Sequence, residues 1–340
     1  MRVTPESLIR VAKETAQERA YNNPNVIAAY LIGSLLGDDP FLGGVTDIDL
    51  VFVHADQPSL RREIVKLTND FHLDITHHAK KEYDPPRELR LNPWLGYEIY
   101  DPMLLFEREH FFEFTQAGVR AGFEFHRTAY VVARSRQLLD HGRQIWMDLV
   151  ENTQLAGPVK VAKYLKSLHH AINAVAELNG PPLPERRILL IFPERAEAAQ
   201  RSGLSTGLLG LLGGLELSPD TLSSWLPEWQ ADFLAAAEKP EIDSRIHLVR
   251  LAYYQKAFES ILESERPTAV LWPLLRTWTL AASVLPSKEN APWQRACKQL
   301  GLTGPEFEAR LEGLDHYLDD IEELLDRIAE ADGVEPPSSF

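Results

Sequence analysis

The chain has 340 residues, 44% hydrophobic and 25% charged, with a formal net charge of −15. That is an ordinary globular composition, long enough for two domains and a sizeable core, and its negative charge counts against long DNA or RNA as a partner while favouring a small molecule or a protein. The single cysteine, Cys297, excludes an intramolecular disulfide and a cysteine-based zinc cluster, which fits a reducing cytoplasm.

The elements are read in chain order. Thr4 is placed to cap a first helix, with Pro5 at its first position and Leu8, Ile9, Val11, Ala12, Ala16 and Ala20 at helical spacing. Charges run through this N-terminal stretch, so no signal-peptide core is expected. A turn at 22–25 leads to a strand at 26–32, a mobile loop with Gly43-Gly44, and a strand at 47–54. Residues 59–70 read as a helix, 71–77 as a third strand, 80–93 as loop with a short helical turn, and 97–102 as a further strand. Residues 110–149 then show long helical periodicity, followed by an amphipathic helix at 159–178 that ends at Asn179-Gly180-Pro181-Pro182. Further helices are expected at 186–201, 204–215, 219–238, 242–265, 268–285, 291–300 and 305–331. The expected class is α+β: a small mixed-sheet domain (1–107), a larger all-helical domain (108–332) and a frayed tail (333–340). No apolar run approaches 18 residues, so no membrane span is expected.

Residues 28–49 concentrate the chemistry. An apolar run ends at Gly33-Ser34, and Asp47-Ile48-Asp49 opens the next one. On a strand, Asp47 and Asp49 share a face about 6.5 Å apart along the chain. Carboxylates that close repel one another, and a divalent cation relieves the repulsion. Gly33 allows close backbone approach to a ligand, and Ser34 offers a hydroxyl and an N–H for an anion. Asp74 lies between apolar residues on the third strand. If that strand pairs beside Asp47 and Asp49, three carboxylates converge, enough for a two-metal phosphoryl-transfer site.

This pattern resembles the nucleotidyltransferase superfamily of DNA polymerase beta type, including its aminoglycoside-nucleotidyltransferase-like members, over about residues 26–75. The resemblance implies a magnesium-dependent transfer of a nucleoside monophosphate, AMP from ATP being the first expectation, to an acceptor hydroxyl. It implies that Gly33 and Ser34 contact the triphosphate, that Asp47 and Asp49 bind two Mg²⁺ ions, and that Asp74 completes one metal site or acts as base. The helical half would then choose the acceptor, and a homodimer stays open. Many members carry Arg-Gly shortly after Gly-Ser, where this chain reads Leu35-Leu36-Gly37-Asp38-Asp39-Pro40. That departure, and the acids in the loop, keep two alternatives open: a nucleotide-binding regulatory protein with a degraded site, and an AMP-transferring, toxin-like enzyme with a protein acceptor.

Weaker signals stand beside the acids. Lys160, Lys163, Lys166 or Ser167, and His170 line the polar side of the 159–178 helix. The resemblance makes Lys163, then Tyr164, the candidate triphosphate contacts, against a plain solvated lysine face. His77 and His78 end the Asp74 strand, where a surface role competes with a phosphate or acceptor contact; a zinc site from His72, His77 and His78 is weaker still. Trp272, Trp278 and Trp293, with Tyr253 and Tyr254, are read as core before stacking platform. The eleven acids of 306–332 are read as a solvated helix face before a cationic-acceptor site.

Overall fold

A computed structural model describes residues 3–123, 127–240 and 242–334. The expected frayed tail lies outside the described residues from 335 onward. By packing, the chain forms two compact units, Met1–Glu124 with Val249–Ser260, and Phe125–Leu248 with Ile261–Phe340. The architecture is α+β, a mixed-sheet N-terminal region followed by a larger all-helical one.

The first unit opens with α1 (Pro5–Asn22). Thr4 accepts from the Ser7 backbone N–H at 3.3 Å while Ser7 Oγ accepts from the Thr4 backbone N–H at 3.0 Å, a reciprocal cap with Pro5 inside the first turn. The sheet follows as β1 (Val26–Ile32), β2 (Thr46–His54), β3 (Arg62–Lys66), β4 (Phe71–Ala79) and, after α2 (Leu95–Tyr100), β5 (Met103–Glu107). Strand order is β3-β4-β2-β1-β5. The β2–β4 pair is parallel and the other pairs are antiparallel. Helix α3 (Phe111–Phe123) closes the N-terminal stretch.

Strand alternation sorts the side chains onto two faces. Ala29, Leu31, Ile48, Leu50, Phe52, Leu73 and Ile75 pack against Leu8, Ala12, Ala16 and Ala20 of α1. The other face sets Ala28, Tyr30, Val51 and Val53 against Tyr83, Leu89, Ile99, Phe112 and Phe123. Asp47 and Asp49 continue this second face beyond its apolar part.

Three sequence expectations are corrected here. Residues 59–70 hold no helix; they form the edge strand β3, antiparallel to β4. Leu60, Ile64 and Leu67 also suit helical spacing, yet Leu60 and Leu67 are exposed, and β-branched Ile64 and Val65 satisfy the outer edge of β4 instead. Residues 97–102 begin helical rather than extended. Gly96 lets α2 sit against the Phe123 ring and the Leu89 carbonyl, where a Cβ has no room, and the strand comes immediately afterwards as β5. The 242–265 helix starts late, because the Asp243 carboxylate accepts from the Arg245 backbone N–H at 2.9 Å and sets up two short 3₁₀ turns before α9.

The helical region comprises α4 (Thr128–Glu151), α5 (Gly157–Ala176), α6 (Ile188–Ala198), α7 (Gly203–Leu211), α8 (Pro219–Ala237), α9 (Leu251–Leu262), α10 (Leu271–Val284), α11 (Ala291–Gln299) and α12 (Glu306–Ala331). Most of α9 belongs by its contacts to the first unit. Trp272, Trp278 and Trp293 are buried in the core of the second unit, with Trp278 Nε1 donating to Asp232 at 2.6 Å and Trp293 Nε1 to Thr279 at 3.0 Å. The acids of α12 are not simply solvated. Asp315 and Asp319 pair with Arg143 of α4, and Asp326 with Arg136. Among the described residues no helix is long and apolar enough to cross a membrane.

Candidate active site

The register of β2 against β4 makes Asp49 the direct partner of Asp74, so both side chains leave the same face, with Asp47 two residues back on β2. A ligand oxygen from each of Asp47, Asp49 and Asp74 lies within 4.8 Å of the others. Asp47 and Asp74 are buried, and Asp49 is half-buried.

Gly33 is fixed beside this cluster by sterics. Its φ of +84° is one that side chains rarely adopt, and an added Cβ would collide with Asp49 Oδ2. Only glycine brings the β1–β2 turn this close to the carboxylate. Ser34, next along, shares a 3.1 Å hydrogen bond with the Thr46 hydroxyl, tying the turn to the start of β2. At the tip of the same connection Gly43, φ +66°, passes so near the Lys256 carbonyl that a side chain there would clash.

No sequence signal pointed to what holds Asp74. Arg62 of β3 donates to both of its oxygens, Nε to Oδ1 and Nη2 to Oδ2, each at 2.6 Å. Arg250, from the short turn that leads into α9, also pairs with Oδ2. Arg62 is 41% exposed, but the Arg250 side chain is only 5% exposed. Burial alone would weaken the Arg250 charge; Tyr254, Asp47 and Tyr253 outweigh it and hold the group above its ordinary range. The Tyr253 ring lies 5.8 Å from the guanidinium and meets His72 edge-on at 5.2 Å.

The donor set suits a hard divalent cation, since all three groups are carboxylates. In this arrangement the guanidiniums of Arg62 and Arg250 engage both Asp74 oxygens.

Other predicted residues fall elsewhere. His72 and His78 are on the acidic face of β4, whereas His77 is on the opposite one, stacked on Phe52 at 5.8 Å and bonded to His54 at 2.9 Å and Glu63 at 3.0 Å. The three histidines therefore do not converge, which argues against the weakly ranked zinc alternative: period-two alternation separates neighbours 77 and 78. Lys163 pairs with Asp148, and the buried Tyr164 hydroxyl donates to the Leu211 carbonyl at 3.0 Å, both within the second unit. A second cluster that sequence reasoning missed, Glu107, His110 and Glu113, gathers at the start of α3. There Glu107 Oε2 already accepts from the Phe112 and Glu113 backbone N–H groups at 3.0 and 3.3 Å.

No protein-family model matches the chain, and no curated protein matches it. Among solved structures, a nucleotidyltransferase-like protein from Exiguobacterium sibiricum aligns with 76% of this chain and 81% of its own, at 14% identity and a TM-score of 0.28. At that identity and score neither a residue nor a role carries over from one chain to the other.

Proposed function

We propose that the first unit binds a divalent metal–nucleoside triphosphate complex, with ATP as the first candidate, and transfers the nucleoside monophosphate to an acceptor hydroxyl. The observation that carries this reading is the meeting of Asp47, Asp49 and Asp74 within 4.8 Å, beside a glycine whose conformation brings the backbone against Asp49. Such a reaction forms a bond from the acceptor oxygen to the α-phosphorus and breaks the α–β bridging bond. Pyrophosphate leaves and the acceptor proton passes to a carboxylate or to solvent. A bound divalent cation supplies charge stabilisation for the leaving group and makes the acceptor oxygen easier to deprotonate. Asp47 and Asp49 would hold the ion, and the Gly33-Ser34 turn would border the phosphates. Asp74 would keep Arg62 pointed into the same space, so that a cationic side chain faces the triphosphate although no Arg-Gly follows Gly33-Ser34. The net charge of −15 favours a small-molecule acceptor over a nucleic acid.

Asp47→Asn and Asp49→Asn should each abolish release of labelled pyrophosphate from ATP across a panel of hydroxyl acceptors, with unchanged circular dichroism. Turnover persisting in both variants removes these residues from the chemistry. The double arginine contact on Asp74 also favours a second reading, a nucleotide-binding regulatory protein without transfer. Calorimetric ATP–Mg²⁺ binding with no pyrophosphate release against small-molecule and protein acceptors would select it.

A further inference from the structure

Three carboxylates cannot share one buried face without compensation. Here part of the compensation belongs to the chain itself: two guanidiniums reach Asp74. The two arginines are not equivalent. Arg62 stands on the edge strand and is 41% exposed, so it can turn into water at little cost. Arg250 is 5% exposed, and its backbone lies in the short turn that leads into α9.

That backbone belongs to Val249–Ser260, which packs with the first unit while the chain on both sides of it packs in the second. Three further contacts hold it at the entrance to β2 and β4. Tyr253 meets His72, Lys256 Nζ pairs with Asp70 Oδ1 at 2.7 Å, and the Lys256 carbonyl abuts Gly43. A cation arriving at Asp74 would face a +1 group already in contact with the same oxygen, and like charges at that distance in a buried setting repel strongly.

We infer that Arg250 and a divalent cation are alternative occupants of the carboxylate cluster, so that metal loading at Asp74 expels Arg250 and loosens the Val249–Ser260 segment. This rests on the reading of the cluster as a metal–nucleotide site. Metal alone then binds weakly, and the segment signals whether the cluster holds its own arginine or an external ion.

The test uses the full chain and Mn²⁺. By calorimetry, Arg250→Gln should bind Mn²⁺ at least about tenfold more tightly than the unmodified protein, because a competing unit charge has been removed. Adding Asp47→Asn to Arg250→Gln should reverse the gain. By hydrogen exchange, Mn²⁺ with a non-hydrolysable ATP analogue should speed exchange at amides 249–260 of the unmodified protein while slowing it in β2. Equal Mn²⁺ affinity of the two proteins, or saturation with no faster exchange at 249–260, overturns the competition and leaves the metal–nucleotide reading standing. Failure of both proteins to bind Mn²⁺, with or without the analogue, removes that reading and the competition together. Should Arg250→Gln fail to fold, the exchange measurement on the unmodified protein decides alone.

Discussion

Replacing Asp74 with asparagine removes the charge that holds Arg250 while keeping the shape of the side chain. Asp74 is 2% exposed and Arg250 5%, so the guanidinium would be left as a buried cation with a neutral amide oxygen in place of its closest carboxylate, and only the Asp47 charge beside it. Breaking a buried pair from one side costs about 3–5 kcal/mol, and the hydrogen bond that asparagine can still accept places this variant near the lower end, about 3 kcal/mol. Arg62, two-fifths exposed, re-enters water and adds less than about 1 kcal/mol. Asp74→Asn with Arg250→Met should therefore recover most of the loss, because the stranded charge is gone, and the coupling between the two positions should come to about 2 kcal/mol. Native-state hydrogen exchange at β2 and β4 amides, measured without metal, reads this locally and is insensitive to the second unit. If the Asp74→Asn and Arg250→Met costs simply add, the two residues are not paired in solution and the account of the site is wrong.

Other consequences are equally open to measurement. Gly33→Ala forces an alanine into φ +84° and its methyl into the Asp49 carboxylate; exchange at β1 and β2 should show a loss of about 1–3 kcal/mol, with ATP–Mg²⁺ binding lost in calorimetry. Burial pushes the Glu98 carboxyl up to about 7 against the pull of Arg62, and one of its oxygens is buried without a hydrogen bond. The folded state therefore holds this proton more tightly than the unfolded one, and stability falls as pH rises from about 4.5 through 7. Glu98→Gln should then match the parent protein below pH 4.5 and exceed it by about 3 kcal/mol above pH 7, read by urea titration at several pH values; a pH-independent difference refutes the assignment. Burial also raises the Cys297 thiol well above its usual range, so a disulfide-exchange reagent should modify it only at the rate of unfolding.

The acids were legible because each one interrupts an apolar strand. Asp47, Asp49 and Asp74 sit where alternation demands either burial or a partner, and the parallel β2–β4 register, which the sequence reading could state only as a condition, unites them. Thr4 and Pro5 likewise announced α1 through local chemistry alone. Failures arose where tertiary context chose between two workable periods. Leu60, Ile64 and Leu67 fit a helix as well as an edge strand, and only the vacant side of β4 decides for the strand. The Tyr97–Tyr100 run alternates like a strand, yet Gly96 and the Phe123 ring draw it into a helix. Arg250 was invisible for a different reason: nothing local distinguishes it from any other arginine at the head of a helix, and its partner is in a distant part of the chain.

The return of residues Val249–Ser260 to the first unit bears on how the protein is made and how it can be dissected. As the polypeptide emerges from the ribosome, the sheet can pair early, but the buried cation for Asp74 arrives only after most of the helical region has been synthesised. A nascent N-terminal fragment therefore carries an acidic face without Arg250, and any expression clone cut between the sheet and the helices would inherit the same defect. The smallest faithful excision of this unit needs both stretches, supplied together or joined by a new linker.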